Sequence, residues 1–204
     1  MSALPIEGWL AAHPPPTRAA LFPLSRLSGY TVDDWLKLPE SRERIELIDG
    51  SFQVSPAPMG LRALCAGGLR AILAKAVKPD LVAVETVNMM VGEDGLIPDV
   101  AVLPRALVMS RMVVFPASEV LAVAEVVSLG SGRRRDYEVK PAQYAEAGIE
   151  VFIRVELEGA DIPRVEVFRL DGQAYELAGQ ARAGEHLALP EPFPISFDPA
   201  ELLL

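Results

Sequence analysis

The chain has 204 residues, the length of one ordinary domain. Half of them are apolar and 23% are charged, which excludes a disordered, collagenous or coiled-coil chain. Nineteen Lys and Arg against 28 Asp and Glu leave a net charge of −9, which excludes a protein that coats nucleic acid through bulk charge but leaves room for a local basic patch.

Residues 1–29 read as a Pro-rich N-terminal extension, with Pro14-Pro15-Pro16 favouring extended geometry, and residues 30–204 as the folded domain. Thr31 is placed to cap a short helix whose first turn carries Asp33 and Asp34. Val32, Trp35, Leu36 and Leu38 supply its apolar side, and Pro39 ends it. Asp49-Gly50 between alternating runs predicts a hairpin turn. Ser55-Pro56-Ala57-Pro58 reads as a loop. Leu61 to Val77 has helical spacing, interrupted by Gly67-Gly68, which either weakens the helix or admits a close neighbour. Valine-rich strands are expected at Leu81–Val91, Ile97–Leu103 and Val120–Val127. A polar loop at Gly130–Arg135 leads into a helical segment ending at Gly148, a natural C-cap. Further strands are expected at Val151–Leu157, Val165–Leu170 and Ala174–Leu177, with Asp171-Gly172 as a turn. The Pro-containing C-terminal segment is expected to lie over the surface. This pattern predicts an α/β (α+β) domain on one mixed sheet.

No apolar run approaches the roughly 18 residues of a membrane span, and the N-terminus has no signal-peptide pattern, so the expectation is a cytoplasmic protein that meets no membrane. One cysteine, Cys65, cannot form an internal disulfide. Two histidines, His13 and His186, cannot build a multi-imidazole zinc site.

The chemistry must therefore come from carboxylates and cations. Glu125 is the one charge in Val120–Val127, a strand apolar on both faces. A buried carboxylate must be neutralised, paired with a cation or bound to a metal. Asp99 follows Pro98 at the start of another valine-rich strand, where turn chemistry is the commoner explanation. Glu46 alternates with Ile45 and Leu47, and taken alone reads as a solvated edge position. Asp49 is explained by its turn. If residues 136–144 are helical, Asp136, Lys140 and Tyr144 share a face, and an ordinary surface ion pair would account for the first two. Pro141 makes the helix start or kink near Lys140, close to an N-terminus where the dipole disfavours a cation.

The ordered segments YTVDDWLKLPE, RIELIDGSFQVSPAP, IPDVAVLP, VLAVAEVVS, RRRDYEVKPAQYAEAGIEVFIRVEL and VEVFRLDGQAYELA resemble the Uma-two family of restriction-endonuclease-like proteins, within the PD-(D/E)XK nuclease superfamily. The likeness covers about residues 30–203. It implies a restriction-endonuclease-like mixed β-sheet flanked by helices, with acids gathered at one end of the central strands. It places Asp99 as the "PD" aspartate, Glu125 as the central acid, Glu46 as the N-terminal acid and Tyr144 beside the site. The superfamily's lysine two residues after the central acid is replaced here by Val127, and Lys140 matches the helix-borne lysine of the Uma-two pattern. The family histidine expected after the SPAP loop is absent from Met59-Gly60-Leu61-Arg62.

The resemblance implies a Mg²⁺- or Mn²⁺-dependent endonuclease acting on DNA. Asp99, Glu125 and a backbone carbonyl near Val126 would hold the ion. Lys140 would orient the attacking water or offset phosphorane charge, and Glu46 would support the ion from behind or hold a second one. Arg133, Arg134 and Arg135 are candidate phosphate contacts, with a solvated loop as the equal alternative. A homodimer would allow both strands to be cut. Two other readings remain open on sequence: a nuclease-fold protein without cleavage activity that binds nucleic acid or a protein partner, and a structural protein whose acids form ordinary ion pairs.

Overall fold

Valine-rich segments with two apolar faces have to lie between layers, and in the computed structural model of the chain they do. It describes residues 29–39, 43–55, 60–127 and 135–204. Most of the expected N-terminal extension, the greater part of the SPAP loop and residues 128–134 fall outside that range, Arg133 and Arg134 among them.

Chain order is helix α1 (Val32–Leu36), strands β1 (Arg44–Ile48) and β2 (Ser51–Ser55), helix α2 (Gly60–Ala76), strands β3 (Leu81–Glu85), β4 (Met89–Val91), β5 (Asp94–Leu96) and β6 (Val100–Pro104), and the short helix α3 (Arg105–Val108). Strands β7 (Phe115–Pro116) and β8 (Ala122–Val127) follow, then a π-helical turn (Arg135–Val139) running into helix α4 (Lys140–Glu146). The chain closes with β9 (Val151–Glu156), β10 (Arg164–Asp171), β11 (Ala174–Arg182), β12 (Leu187–Leu189), β13 (Ile195–Phe197) and a 3₁₀ turn (Pro199–Leu203).

The strands form two principal sheets rather than the single one expected. The larger runs β11–β10–β9–β8–β6–β3, the smaller β2–β1–β5–β4–β7, and β12 pairs with β13. The expected strand Leu81–Val91 is divided between the two sheets. Thr86 takes a positive φ of 50° at the break, so β3 joins the larger sheet and β4 the smaller. Pro98 similarly delays β6 until Val100.

Strands β8 and β9 are parallel neighbours, and the crossover that this requires is made through α4. Alternation on β8 then sorts its residues. Ala122, Ala124 and Val126 join Cys65, Leu69 and Leu73 of α2 in one core. Val123 faces the opposite way, into a second core with Phe152 and Tyr144. Glu125 has the parity of Val123, as Asp99 has that of Ala101 and Leu103 ahead of β6. Both acids therefore belong to the side of the large sheet occupied by α4 and the small sheet.

Local signals position the remaining pieces. Thr31 and Asp34 form a reciprocal capping box on α1, seating Trp35 on Leu47 and Ile97. Asp49 and Gly50 carry the positive φ values of a tight hairpin turn. A Cβ on Gly68 would lie 2.9 Å from the backbone of Leu202, so this glycine admits the C-terminal turn against α2. The C-terminal segment is correspondingly more than a surface strap: Phe193, Ile195, Phe197 and Leu202 are buried in the α2 core.

Candidate active site

Four segments distant in sequence supply the charged side chains that meet between the sheets. Glu46 comes from β1, Asp99 from the link into β6, Glu125 from β8 and Lys140 from the first turn of α4. Glu46, Glu125 and Lys140 are fully buried, and Asp99 is 5% exposed. The solvated edge position expected for Glu46 in isolation is overturned: β1 lies between β2 and β5, so it has no free edge. The turn reading of Asp99 gives way too. Asp99 Oδ2 accepts the Val126 N–H at 2.7 Å, tying the start of β6 to β8 beside Glu125.

Lys140 Nζ bridges two of the acids, 2.7 Å from Glu46 Oε1 and 2.8 Å from Glu125 Oε1. The π-helical turn explains how a lysine reaches this depth. Its wider winding ends at Val139, and Pro141 then occupies the first turn of α4, where its missing N–H leaves no gap. Tyr144, one turn further on and fully buried, donates its hydroxyl to Glu125 Oε1 at 2.7 Å. The Ile97 N–H donates to Glu46 Oε1 at 2.8 Å.

Two arginines that sequence reasoning did not single out complete the cluster. Arg44 lies 2.7 Å from Asp99 Oδ1, 3.4 Å from Glu125 Oε2 and 3.6 Å from Glu46 Oε1. It precedes Glu46 by two residues on a strand, and that R-x-E parity was the available signal. Arg62 donates to both Asp99 oxygens at 3.0 and 2.8 Å and approaches Glu125 Oε2 at 4.0 Å. It stands in the segment after the SPAP loop where the family histidine was expected. Arg135, a candidate phosphate contact, turns inward: it lies 3.4 Å from Asp136, 3.8 Å from Glu46 Oε2 and 3.3 Å from Ser55 Oγ. Arg154, the register partner of Glu125 on β9, is engaged instead by Glu166 at 2.6 Å.

The environments pull the acids apart. Burial alone would raise Asp99 and Glu46, but Arg44 and Arg62 hold Asp99 below the ordinary carboxylate range, and Lys140 and Arg44 do the same for Glu46. At Glu125 burial prevails, opposed by Lys140 and Arg44 and reinforced by Asp99 and Asp136, and its pKa is raised. Arg44 loses by burial but gains more from Glu125, Asp99 and Glu46, so it is held firmly charged. Burial, then the charges of Glu125 and Glu46, keep Tyr144 a neutral hydrogen-bond donor well above the usual phenol range.

In kind, this donor set suits a hard divalent cation. Asp99 and Glu125 sit close enough to share one guanidinium, and Glu46 Oε2 is a buried oxygen without a hydrogen bond. Among the described residues, no three His, Cys, Asp or Glu side chains stand as a ready-made metal cage. The arginines occupy the carboxylates in this arrangement.

Mixed sheets flanked by helices in this arrangement are the architecture of a restriction-endonuclease-like fold. The chain belongs to the Uma2 family, described as "Putative restriction endonuclease", whose model matches residues 32–202. It is similar in structure to a putative nuclease belonging to DUF820 from Anabaena variabilis ATCC 29413, with a TM-score of 0.65 over 86% of this chain and 98% of that one, at 19% identity. No curated protein matches the chain.

Proposed function

We propose that this protein is a divalent-metal-dependent endonuclease that hydrolyses phosphodiester bonds in DNA. The observation that supports it most is the convergence of Asp99, Glu125, Glu46 and Lys140 on one hydrogen-bonded cluster, together with membership of a family described as "Putative restriction endonuclease". Asp99 and Glu125 are the residues that would hold Mg²⁺ or Mn²⁺, with the main chain at Val126 beside them. The bound ion would polarise the scissile phosphate and lower the pKa of an attacking water. Tyr144 fixes the rotamer of Glu125 through its hydroxyl, which makes it a positioning residue. Lys140 has three N–H donors, two of them engaged by Glu46 and Glu125. We assign the third to the attacking water. Glu46 holds Lys140 in place and is itself fixed by the Ile97 N–H. Arg133 and Arg134 are assigned to phosphates flanking the cut.

The test is metal-dependent cleavage of plasmid and single-stranded DNA by the wild-type protein beside Asp99→Asn and Lys140→Ala. Loss of activity by about 100-fold or more in both variants is expected, the scale on which a transition-state charge partner acts. Cleavage by Lys140→Ala at the wild-type rate would overturn the role given to the lysine.

One observation favours a second reading, a nuclease-fold protein that binds nucleic acid or a partner without cutting. Each acid already has a cationic neighbour. The two readings part on Mn²⁺ titration of the native protein in the presence of diethyl phosphate, a phosphodiester: saturable heat that disappears in Asp99→Asn supports the enzyme.

A further inference from the structure

Among the described residues the cluster is charge-balanced before any metal arrives. Three carboxylates, Glu46, Asp99 and Glu125, face three cations, Arg44, Arg62 and Lys140. The neighbouring Arg135 and Asp136 pair with each other. A divalent ion placed among them would leave two uncompensated positive charges in a buried site, an unfavourable state. Either a resident cation must leave or an anion must come in with the metal.

The three cations are not equally held. Lys140 is fully buried between two acids. Arg44 touches three. Arg62 hydrogen-bonds only Asp99 among the described residues, and its Nη2 lies 4.0 Å from Glu125 Oε2. It is also carried by the first turn of α2, where the helix dipole disfavours a cation and the turn itself holds no acidic residue. Its flexible stem lets the Nη2 group that now donates to both Asp99 oxygens turn to a phosphate instead, where the guanidinium can bind as a planar, bidentate fork.

Resting on the nuclease reading above, we infer that Arg62 is an exchangeable counter-cation. It occupies Asp99 in the resting protein, is drawn off by a phosphodiester of the substrate, and so makes metal binding and phosphate binding mutually dependent. A metal-loaded, hydrolytically competent centre then forms only when nucleic acid is present.

The experiment follows free Mn²⁺ by its electron paramagnetic resonance signal in titrations of wild type, Arg62→Gln, Arg62→Lys and Asp99→Asn, each with and without diethyl phosphate, a phosphodiester monoanion. Circular dichroism checks that each variant is folded. Wild type should bind Mn²⁺ about tenfold or more tightly with diethyl phosphate than without it, a coupling of ordinary allosteric size. Arg62→Gln should bind tightly without the phosphodiester and gain little from it. Arg62→Lys, which keeps the charge and loses the fork, should fall between them, and Asp99→Asn should not bind. Equal Mn²⁺ affinity in wild type and Arg62→Gln, weaker binding by Arg62→Gln, or an equal response of both to diethyl phosphate would overturn the role of Arg62 while leaving a metal site standing. Failure of wild type and Arg62→Gln alike to bind Mn²⁺ under either condition would remove the metal-dependent reading itself, and this inference with it.

Discussion

Lys140 is a buried cation between two buried acids. Removing one member of such a group leaves an uncompensated charge, and the usual penalty is about 3–5 kcal/mol. Lys140→Met should destabilise the protein on that scale in urea unfolding. A change below about 1 kcal/mol would mean that the acids are solvated or protonated in solution. Tyr144 offers a gentler probe. Its phenol is held above the ordinary range, so it contributes stability in full below about pH 10, and that contribution is lost as pH rises toward its folded pKa. The unfolding midpoint of wild type should therefore fall above about pH 10, and Tyr144→Phe should fall less steeply over the same range. Tyr175 and Cys65, raised by burial as well, contribute to the slope that remains. Identical slopes in the two proteins would contradict the burial of that hydroxyl.

At the scale of elements, the hairpin, the capped helix and the valine-rich central strands follow from turn chemistry and periodicity alone. Asp49-Gly50, Thr31 with Asp34, and the all-apolar run around Glu125 each carry a local physical signal. The division of Leu81–Val91 between two sheets does not, since Thr86 has no sequence feature demanding a positive φ. Glu46 shows the same limit. Alternation gives its face, but only the pairing of β1 with both β2 and β5 makes that face interior. Arg44 and Arg62 were illegible for a related reason: a cation's partner across the fold leaves no trace in its own neighbourhood beyond parity. Gly67-Gly68 left two outcomes open, and the packing of Leu202 on Gly68 selects close approach. Gly68→Ala should therefore cost about 1–3 kcal/mol, the scale of overpacking, despite alanine's better helix propensity. Urea denaturation measures it. A stabilised variant would show that the C-terminal turn does not rest on α2.

For the whole molecule, the arrangement resolves an electrostatic tension. A chain of net charge −9 repels a polyanion at long range, yet the reaction assigned to it needs phosphate at a cluster of carboxylates. Local cations must overcome that field at close quarters. If Arg133 and Arg134 contact the backbone, their joint replacement by alanine should weaken DNA binding about equally for all sequences and reduce the salt slope by roughly two. An unchanged slope would assign the pair to solvent. The same balance governs the centre, where, among the described residues, three cations already neutralise three acids. The account therefore stands or falls on whether a metal displaces part of that network. Crystals grown with Mn²⁺ and diethyl phosphate, measured at the manganese absorption edge, give the most direct answer. The prediction is an anomalous peak within coordination distance of Asp99 and Glu125, with Arg62 turned away from Asp99. Carboxylates still closed on both arginines, with no peak between them at saturating Mn²⁺, would contradict it.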